Sequence, residues 1–215
     1  MSQFKTVFVV DDDAEVRASI CALLTSLGCH CTPAASAEEF LAHCPPDVRG
    51  VLVADLRMPG MSGLELQEEL ARRHLSIPII ILTAYARTST TVTAMQRGAF
   101  TILDKPHNEE DLWNAVRSAF EVEDQLFAAR QRQQDVEARF AALTDDERRV
   151  VELMIQGVPN KAIVKALGIS LRTVEKRRHD IFAKTRTRSV AELVELCIAV
   201  QQFKSAQAHE RPPER

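Results

Sequence analysis

Residues 51–63 read Val51-Leu52-Val53-Ala54-Asp55-Leu56-Arg57-Met58-Pro59-Gly60-Met61-Ser62-Gly63. An apolar run carries straight into a single acid, and a turn with one Pro and two Gly follows at once. The pattern predicts a buried strand ending in an exposed carboxylate at Asp55, then a loop. Alone, an aspartate in such a place is an ordinary helix cap or loop solvator. Its meaning depends on what the rest of the chain brings to the same place.

On both sides of this stretch, strand and helix patterns alternate. Strands are expected at 5–10, 29–34, 51–55, 78–82 and 100–103. Helical spacing of Val16, Ile20, Leu23, Leu24 and Leu27 fills 14–27, and Gly28 stops it. Ser36-Ala37-Glu38-Glu39 reads as a capping box for a second helix. Residues 64–74 form a third, with Leu64, Leu66 and Leu70 inward, and 87–97 a fourth ended by Gly98. Asn108 caps a fifth that begins with Glu109, Glu110 and Asp111, which suit its positive end. Five strands alternating with five helices predict a doubly wound, flavodoxin-like α/β fold with a parallel sheet. The first, third, fourth and fifth strands are continuously apolar, as strands covered on both faces should be. In such sheets the site lies beyond the carboxyl ends of the strands. Asp11, Asp12, Asp55, Thr83 and Lys105 all fall just after strand ends, so five polar groups from four strands meet on one rim.

The second half has a different texture. Residues 121–140 hold no Gly or Pro and favour helix strongly. They read as a helical linker continuing the fifth helix, with a thin stripe at Leu126, Ala129, Gln133, Val136 and Phe140 that suits either a weak coiled-coil seam or a solvated spacer. Thr144-Asp145-Asp146-Glu147 is another capping box and opens a helix to 156. Pro159 suits a first helical position, and a short helix over 160–167 stops at Gly168. Ser170 caps a helix to about 184, and Ser189 a last one to about 203. This is an all-α, four-helix unit laid out as a helix-turn-helix. The expected division is 1–120 for the α/β domain, 121–140 for the linker, 141–203 for the helical domain and 204–215 for a disordered tail.

A formal net charge of −3 conceals a polarity. Residues 1–120 hold 10 Lys or Arg against 15 Asp or Glu, whereas 161–188 hold nine basic groups against two acids. The second domain therefore faces a polyanion. No apolar run approaches a membrane span, and residues 1–10 lack the charge order of a signal peptide, so a cytoplasmic protein is expected. The five Cys (Cys21, Cys29, Cys31, Cys44, Cys197) are odd in number and lack a disulfide-framework spacing. Cys29-His30-Cys31 with His43-Cys44 has the residue types for zinc, but buried thiols beside strands and helices are the ordinary reading.

Three acids sharing a small site repel one another unless a cation sits among them. Oxygen-only ligands select a hard ion, and Mg²⁺ suits a site with few carboxylates and several waters. Asp12 and Asp55 are the expected direct ligands, Asp11 holds a coordinated water, and a backbone carbonyl after Asp55, that of Arg57, completes the set. Lys105 neutralises Asp55 before reaction and holds a phosphoryl oxygen afterwards; Thr83 offers its hydroxyl to another. A nucleophile, a metal and donors on the equatorial oxygens are what phosphoryl transfer to a carboxylate requires.

With these groups in place, residues 1–120 resemble a response-regulator receiver domain. The resemblance rests on Val-Val-Asp-Asp-Asp at 9–13, Asp-Leu-Arg-Met-Pro-Gly-Met-Ser-Gly at 55–63, Leu-Thr-Ala at 82–84 and Asp-Lys-Pro at 104–106, in family order. Residues 141–203 resemble a LuxR-type helix-turn-helix through Leu143-Thr144, Glu147, Gly157, Asn160-Lys161, Ile169-Ser170, Thr173-Val174-Glu175, Ile181 and Lys184. The pairing is similar to the FixJ and NarL class of two-component transcription regulators. The resemblance implies that Asp55 is the phosphorylation site, Asp11 and Asp12 the acidic pair, Thr83 the switch hydroxyl and Lys105 the invariant amine. Two departures from the family follow. Its switch aromatic, three residues before the Lys, is here Ile102. Phe100 shares the expected facing but lies farther from the rim and cannot substitute. His107, after Lys-Pro, reads as a solvated loop residue. Arg57 and Tyr85 occupy positions that modulate phosphoryl lifetime in the family, and as large groups would screen the acyl phosphate from water.

On the helix after Ser170, the resemblance places Glu175, Lys176 and His179 where the family reads base edges: Lys can address guanine and Glu can accept from cytosine N4. Lys161, Thr173, Arg177 and Lys184 suit phosphate contacts that set register. The expectation is a phosphorylation-activated DNA-binding transcription regulator, taking its phosphoryl group from a sensor histidine kinase. It is not an enzyme beyond Mg²⁺-dependent self-phosphorylation on Asp55 and slow self-dephosphorylation. Double-stranded DNA, the kinase and a phosphorylation-dependent homodimer through about 87–120 are its expected partners, with RNA polymerase a further candidate and no membrane. An aspartate-nucleophile phosphatase is the rival enzyme, but it would need a second acid where Arg57 stands. A constitutive DNA-binding protein with a degenerate receiver is the other rival, kept open by Ile102 and opposed by the intact rim.

Overall fold

The structure, a computed structural model, describes residues 5–84, 99–106 and 108–209, with side chains described to 202. The expected helix over 87–97, Tyr85, His107 and residues 210–215 lie outside the described residues. Two compact units divide the chain, Met1–Ala128 and Ala129–Arg215.

In the first unit the elements are β1 (Thr6–Val10), α1 (Ala14–Ser26), β2 (His30–Ala34), α2 (Ala37–His43), β3 (Val51–Asp55), α3 (Gly63–Arg72), β4 (Ile79–Thr83), β5 (Thr101–Asp104) and the start of α4 (Glu109–Ala141). The strands form one parallel sheet in the order β2-β1-β3-β4-β5. β3 and β4 are buried along their whole length because both faces are covered. Successive residues point to opposite faces. Leu52, Ala54, Ile79 and Ile81 therefore pack with Phe40, Leu66 and Leu70 of α2 and α3. Val51, Val53, Ile80 and Leu82 pack with Ile20 and Leu24 of α1 and Leu112, Val116 and Phe120 of α4. The fifth strand is not covered as its apolar composition suggested. It is an edge strand, half-buried over Thr101–Leu103 with Asp104 exposed. Leu27 also departs from expectation: α1 ends at Ser26, and Leu27 serves as its C-cap, 41% exposed.

The sheet topology puts Asp11, Asp55, Thr83 and Lys105 at the carboxyl end of β1, β3, β4 and β5. The crossover helices must return the chain to the opposite end before each new parallel strand. That is why residues 94 positions apart, Asp11 and Lys105, can bond.

α4 contains no Gly or Pro over 33 residues, and it begins with the acids expected at a positive helix end. The linker expected at 121–140 is thus continuous with the preceding helix. Its attachment to the first unit runs past 120. Glu123 is only 3% exposed, and Arg49 grips it with a fork, Nε to Oε1 at 2.9 Å and Nη2 to Oε2 at 2.8 Å. The same guanidinium lies 3.6 Å from the Phe127 ring centroid. Glu123 holds the Arg49 pKa above its usual range against the opposing effect of burial. Bidentate pairing of this kind is strong and directional.

The second unit contains α5 (Asp145–Ile155), α6 (Asn160–Leu167), α7 (Leu171–Thr185) and α8 (Val190–His209). Val150, Met154, Ile163, Val174, Ile181 and Leu193 form its core, with Val136 and Phe140 of α4 packed against it. Gly168 at φ 65° ends α6 in the left-handed conformation that permits the tight turn into α7. Pro159 is not the first helical residue but the N-cap, with extended backbone and no side-chain cap bond. Its ring cannot accept the N–H that a Ser or Thr would. α8 continues to His209 rather than ending near 203; no proline interrupts it before Pro212.

Candidate functional site

Asp11 and Asp55 are 2% and 8% exposed. Two buried carboxylates side by side would raise each other's energy unless a cation joined them. Lys105 does so, its Nζ donating to Asp55 Oδ1 at 2.5 Å and to Asp11 Oδ2 at 2.8 Å. Burial opposes charge on this amine, but the bonds and charges of Asp11 and Asp55 outweigh it and lift its pKa above the usual lysine range. The backbone N–H of Lys105 donates to the Thr83 carbonyl at 2.6 Å, tying the amine's strand end to that of β4. Thr83 itself is 2% exposed.

The remaining acceptor of Asp55, Oδ2, takes the Arg57 N–H at 2.6 Å. Asp11 Oδ1 takes the Asp13 N–H at 2.9 Å, and Arg17 Nη1 donates to the Asp11 carbonyl at 2.6 Å. Asp13 accepts from Glu15 and Val16 N–H groups as the α1 cap, so it is committed to the helix. Asp12 is exposed beside it. The rim thus brings together Asp11, Asp55, Lys105 and Thr83, with the Arg57 backbone next to Asp55.

Two features of the loop after Asp55 were not read from the sequence. A Cβ on Gly63 would lie 2.4 Å from the Asp55 carbonyl oxygen, so only glycine lets the start of α3 close against β3. Farther out, Glu38 of α2 accepts the Met61 N–H at 2.9 Å. Its carboxylate sits beside Gly60, where φ is +76° and a Cβ would come within 2.7 Å of Oε1. The Gly60 turn was visible in the sequence; its partner Glu38, 23 residues upstream of Met61, carried no local signal.

Among the described residues no three His, Cys, Asp or Glu side chains gather as a set that could hold a metal ion. At the rim the reason is Lys105, whose ammonium occupies the space between Asp11 and Asp55. The expected donors are all oxygen: the Asp12 and Asp55 carboxylates, and the Arg57 carbonyl two residues beyond Asp55. That chemistry fits a hard cation and no soft one. The five thiols are free. Burial pushes Cys21 up to about 11, and burial likewise raises Cys29, Cys31, Cys44 and Cys197.

Ile102 packs toward the α2–α3 layer, whereas Phe100 packs toward the α1–α4 layer. The expectation that they share a facing is corrected: β5 begins at Thr101, and Phe100 precedes the pleat.

On α7, Arg172, Glu175, Lys176 and His179 are exposed. Their spacing of three and four residues puts them on one face. Lys161 of α6 is also exposed. Thr173 and Arg177 lie on the flank. The Thr173 hydroxyl shares a hydrogen bond with Ser170 at 2.8 Å, and Arg177 Nη2 meets Asp146 Oδ2 at 2.5 Å. Lys184, expected against phosphate, has another partner. Its Nζ donates to Glu147 Oε1 at 2.8 Å and Oε2 at 2.7 Å. Glu147 is 6% exposed and also accepts the Thr144 N–H at 2.7 Å.

Comparison with known proteins agrees with both units. Residues 7–117 match the response regulator receiver domain, and 141–197 match the luxR family of bacterial regulatory proteins. The chain belongs to the two-component response regulators that join a receiver domain to a LuxR-type DNA-binding domain. Within that family it is similar to the transcriptional regulatory protein FixJ of Rhizobium meliloti (strain 1021), 39% identical over 197 residues, which are 90% of this chain and 95% of the relative. It is 36% identical over 189 residues to the transcriptional regulatory protein TdiR of Thauera aromatica, covering 88% of this chain and 83% of that one. The solved response regulator StyR superposes with a TM-score of 0.81 at 42% identity, covering 91% of this chain and 98% of that chain. Full-length FixJ from B. japonicum superposes with a TM-score of 0.56 at 34% identity, covering 92% and 98%.

Proposed function

We propose that this regulator is switched by phosphorylation of Asp55, with a sensor histidine kinase's phosphohistidine as donor. The Asp55 carboxylate oxygen attacks phosphorus, the N–P bond breaks, and its electron pair returns to the donor imidazole. The product is an acyl phosphate on Asp55. Lys105 neutralises the nucleophile beforehand and follows the charge onto a phosphoryl oxygen; the Thr83 hydroxyl serves a second oxygen. Asp12, Asp55 and the Arg57 carbonyl would hold Mg²⁺ directly, with Asp11 acting through water. Bound there, the ion would offset the charge of the transferring group. Arg57 shields the product from water.

The observation that carries this reading is the bridging of Asp55 and Asp11 by Lys105, a buried arrangement that supplies the nucleophile and its charge partner at one strand-end rim. Labelling with a small phosphodonor and Mg²⁺ tests it. The wild-type chain should gain a base-labile phosphoryl group, and Asp55→Asn should not. Undiminished labelling of the variant would overturn the assignment.

In the second unit, Glu175, Lys176 and His179 are assigned to base edges and Lys161, Thr173 and Arg177 to phosphates. Lys184 is withdrawn from that set because its bond to Glu147 supports a structural role. Phosphorylation would favour a homodimer through the region 87–120, and a two-fold protein would meet half-sites about one helical turn apart. Sedimentation with and without a phosphoryl mimic tests this; equal mass at DNA-saturating concentrations refutes it. RNA polymerase is a natural further partner of a DNA-bound regulator. None of the described helices is long and apolar enough to cross a membrane, and we assign action in the cytoplasm.

A further inference from the structure

We infer that Glu38 is a positioning residue for the Asp55 site, holding the loop that orients the nucleophile and presents the Arg57 carbonyl. The inference rests on the reading of Asp55 and Mg²⁺ given above.

The loop between β3 and α3 is fixed at its base by backbone bonds, Leu56 N–H to the Leu82 carbonyl at 2.8 Å and Gly63 N–H to the Leu56 carbonyl at 3.2 Å. The Ser62–Glu65 capping box fixes its return into α3. Between these anchors lie residues 57–61, and Glu38 reaches them from a different element. Its Oε1 accepts the Met61 N–H, and it fills the place a side chain on Gly60 would occupy. The same loop sends the Arg57 N–H to Asp55 Oδ2. A shift of the loop therefore moves both the carboxylate's orientation and the adjacent carbonyl.

Helix α2 gives Glu38 a firm base. Ser36 caps the helix through the Glu39 N–H, and Phe40 and Leu41 are buried beneath it. Bonds from its own backbone N–H, the Met61 N–H and Ser36 keep the Glu38 carboxyl below its ordinary value, so it is a charged acceptor. Its neighbour Glu39 is a natural control, since it accepts the Ala35 N–H at 2.6 Å and serves only the start of α2. Supporting groups that orient a metal site commonly change metal affinity by about 10–100-fold when removed.

The test is Mg²⁺ titration of the full chain by calorimetry, without phosphodonor, for wild type, Glu38→Ala, Glu38→Gln and Glu39→Ala. Glu38→Ala should weaken Mg²⁺ binding about tenfold. Glu38→Gln, whose amide oxygen can still accept, should stay within about twofold, and Glu39→Ala should match wild type in affinity even where its melting temperature falls. If Glu38→Ala binds Mg²⁺ like wild type, or Glu38→Gln fails as Ala does, the role is overturned. If the wild type itself binds no Mg²⁺, the underlying metal reading is refuted instead, and labelling at Asp55 then tests the nucleophile alone.

Discussion

Lys184 of α7 donates to both carboxylate oxygens of Glu147 at the start of α5. One acid thereby serves as capping partner of Thr144 and as anchor for α7, the helix to which base reading is assigned above. Burial pushes its pKa up, but the Lys184 and Thr144 bonds prevail and hold it below the ordinary 4.5. A depressed carboxyl stabilises the fold fully above its unfolded value, and that contribution is lost as pH falls through the folded value.

Lys184→Met should therefore destabilise the second unit by about 1–2 kcal/mol. A fully buried pair would cost about 3–5 kcal/mol, but Lys184 keeps 36% side-chain exposure and is partly screened. The variant should also lose part of the stability decline below pH 4.5. Urea unfolding from pH 3 to 7 checks both, and DNA-binding salt series should show an unchanged slope. A slope reduced by about one unit would restore Lys184 to the phosphate contacts.

Asp12 is exposed beside the rim, whereas its neighbour Asp13 caps α1. Asp12→Ala should weaken Mg²⁺ binding strongly by removing a charged ligand. Asp13→Ala should leave Mg²⁺ binding nearly intact and cost about 1 kcal/mol of stability through the lost α1 cap. Calorimetric Mg²⁺ titration beside thermal unfolding separates them; equal losses of affinity would mean the register of the acid pair is wrong.

Lys176 and Arg177 each carry one positive charge, yet they lie about 100° apart around α7. Lys176→Ala should cost about 1–3 kcal/mol on the preferred duplex and relax choice at one base pair. Arg177→Ala should weaken specific and scrambled duplexes alike and lower the salt slope by about one unit per protomer. The Asp146 partner of Arg177 makes its effect smaller at low salt, because the guanidinium must exchange one anion for another. Identical losses on both duplexes for both variants would mean that α7 holds only phosphate.

The sheet and its rim were legible because their signals are local. An apolar run that stops at a polar residue marks a strand end, and four such ends must converge in a parallel sheet. The helix-turn-helix was legible from caps and Gly168 for the same reason. Contacts made across the fold were not. Nothing near Glu38 announces Met61, and nothing near Arg49 announces Glu123, 74 residues away. Lys184 looked like one more cation on a basic helix because sequence cannot show that Glu147 lies beneath it. Phe100 was misread by one strand position, since facing alternates at each residue and the β5 boundary decides it.

Arg49's hold on Glu123 and Phe127 determines where this protein can be taken apart. A chain severed after 120 would leave the guanidinium without its carboxylate and bare the root of the sheet beside Gly50. A fragment ending after 128 keeps the grip whole. The compact receiver unit thus runs past its motifs to Ala128, and the first protease-sensitive bonds in the long helix are expected beyond Phe127, where this anchor ends.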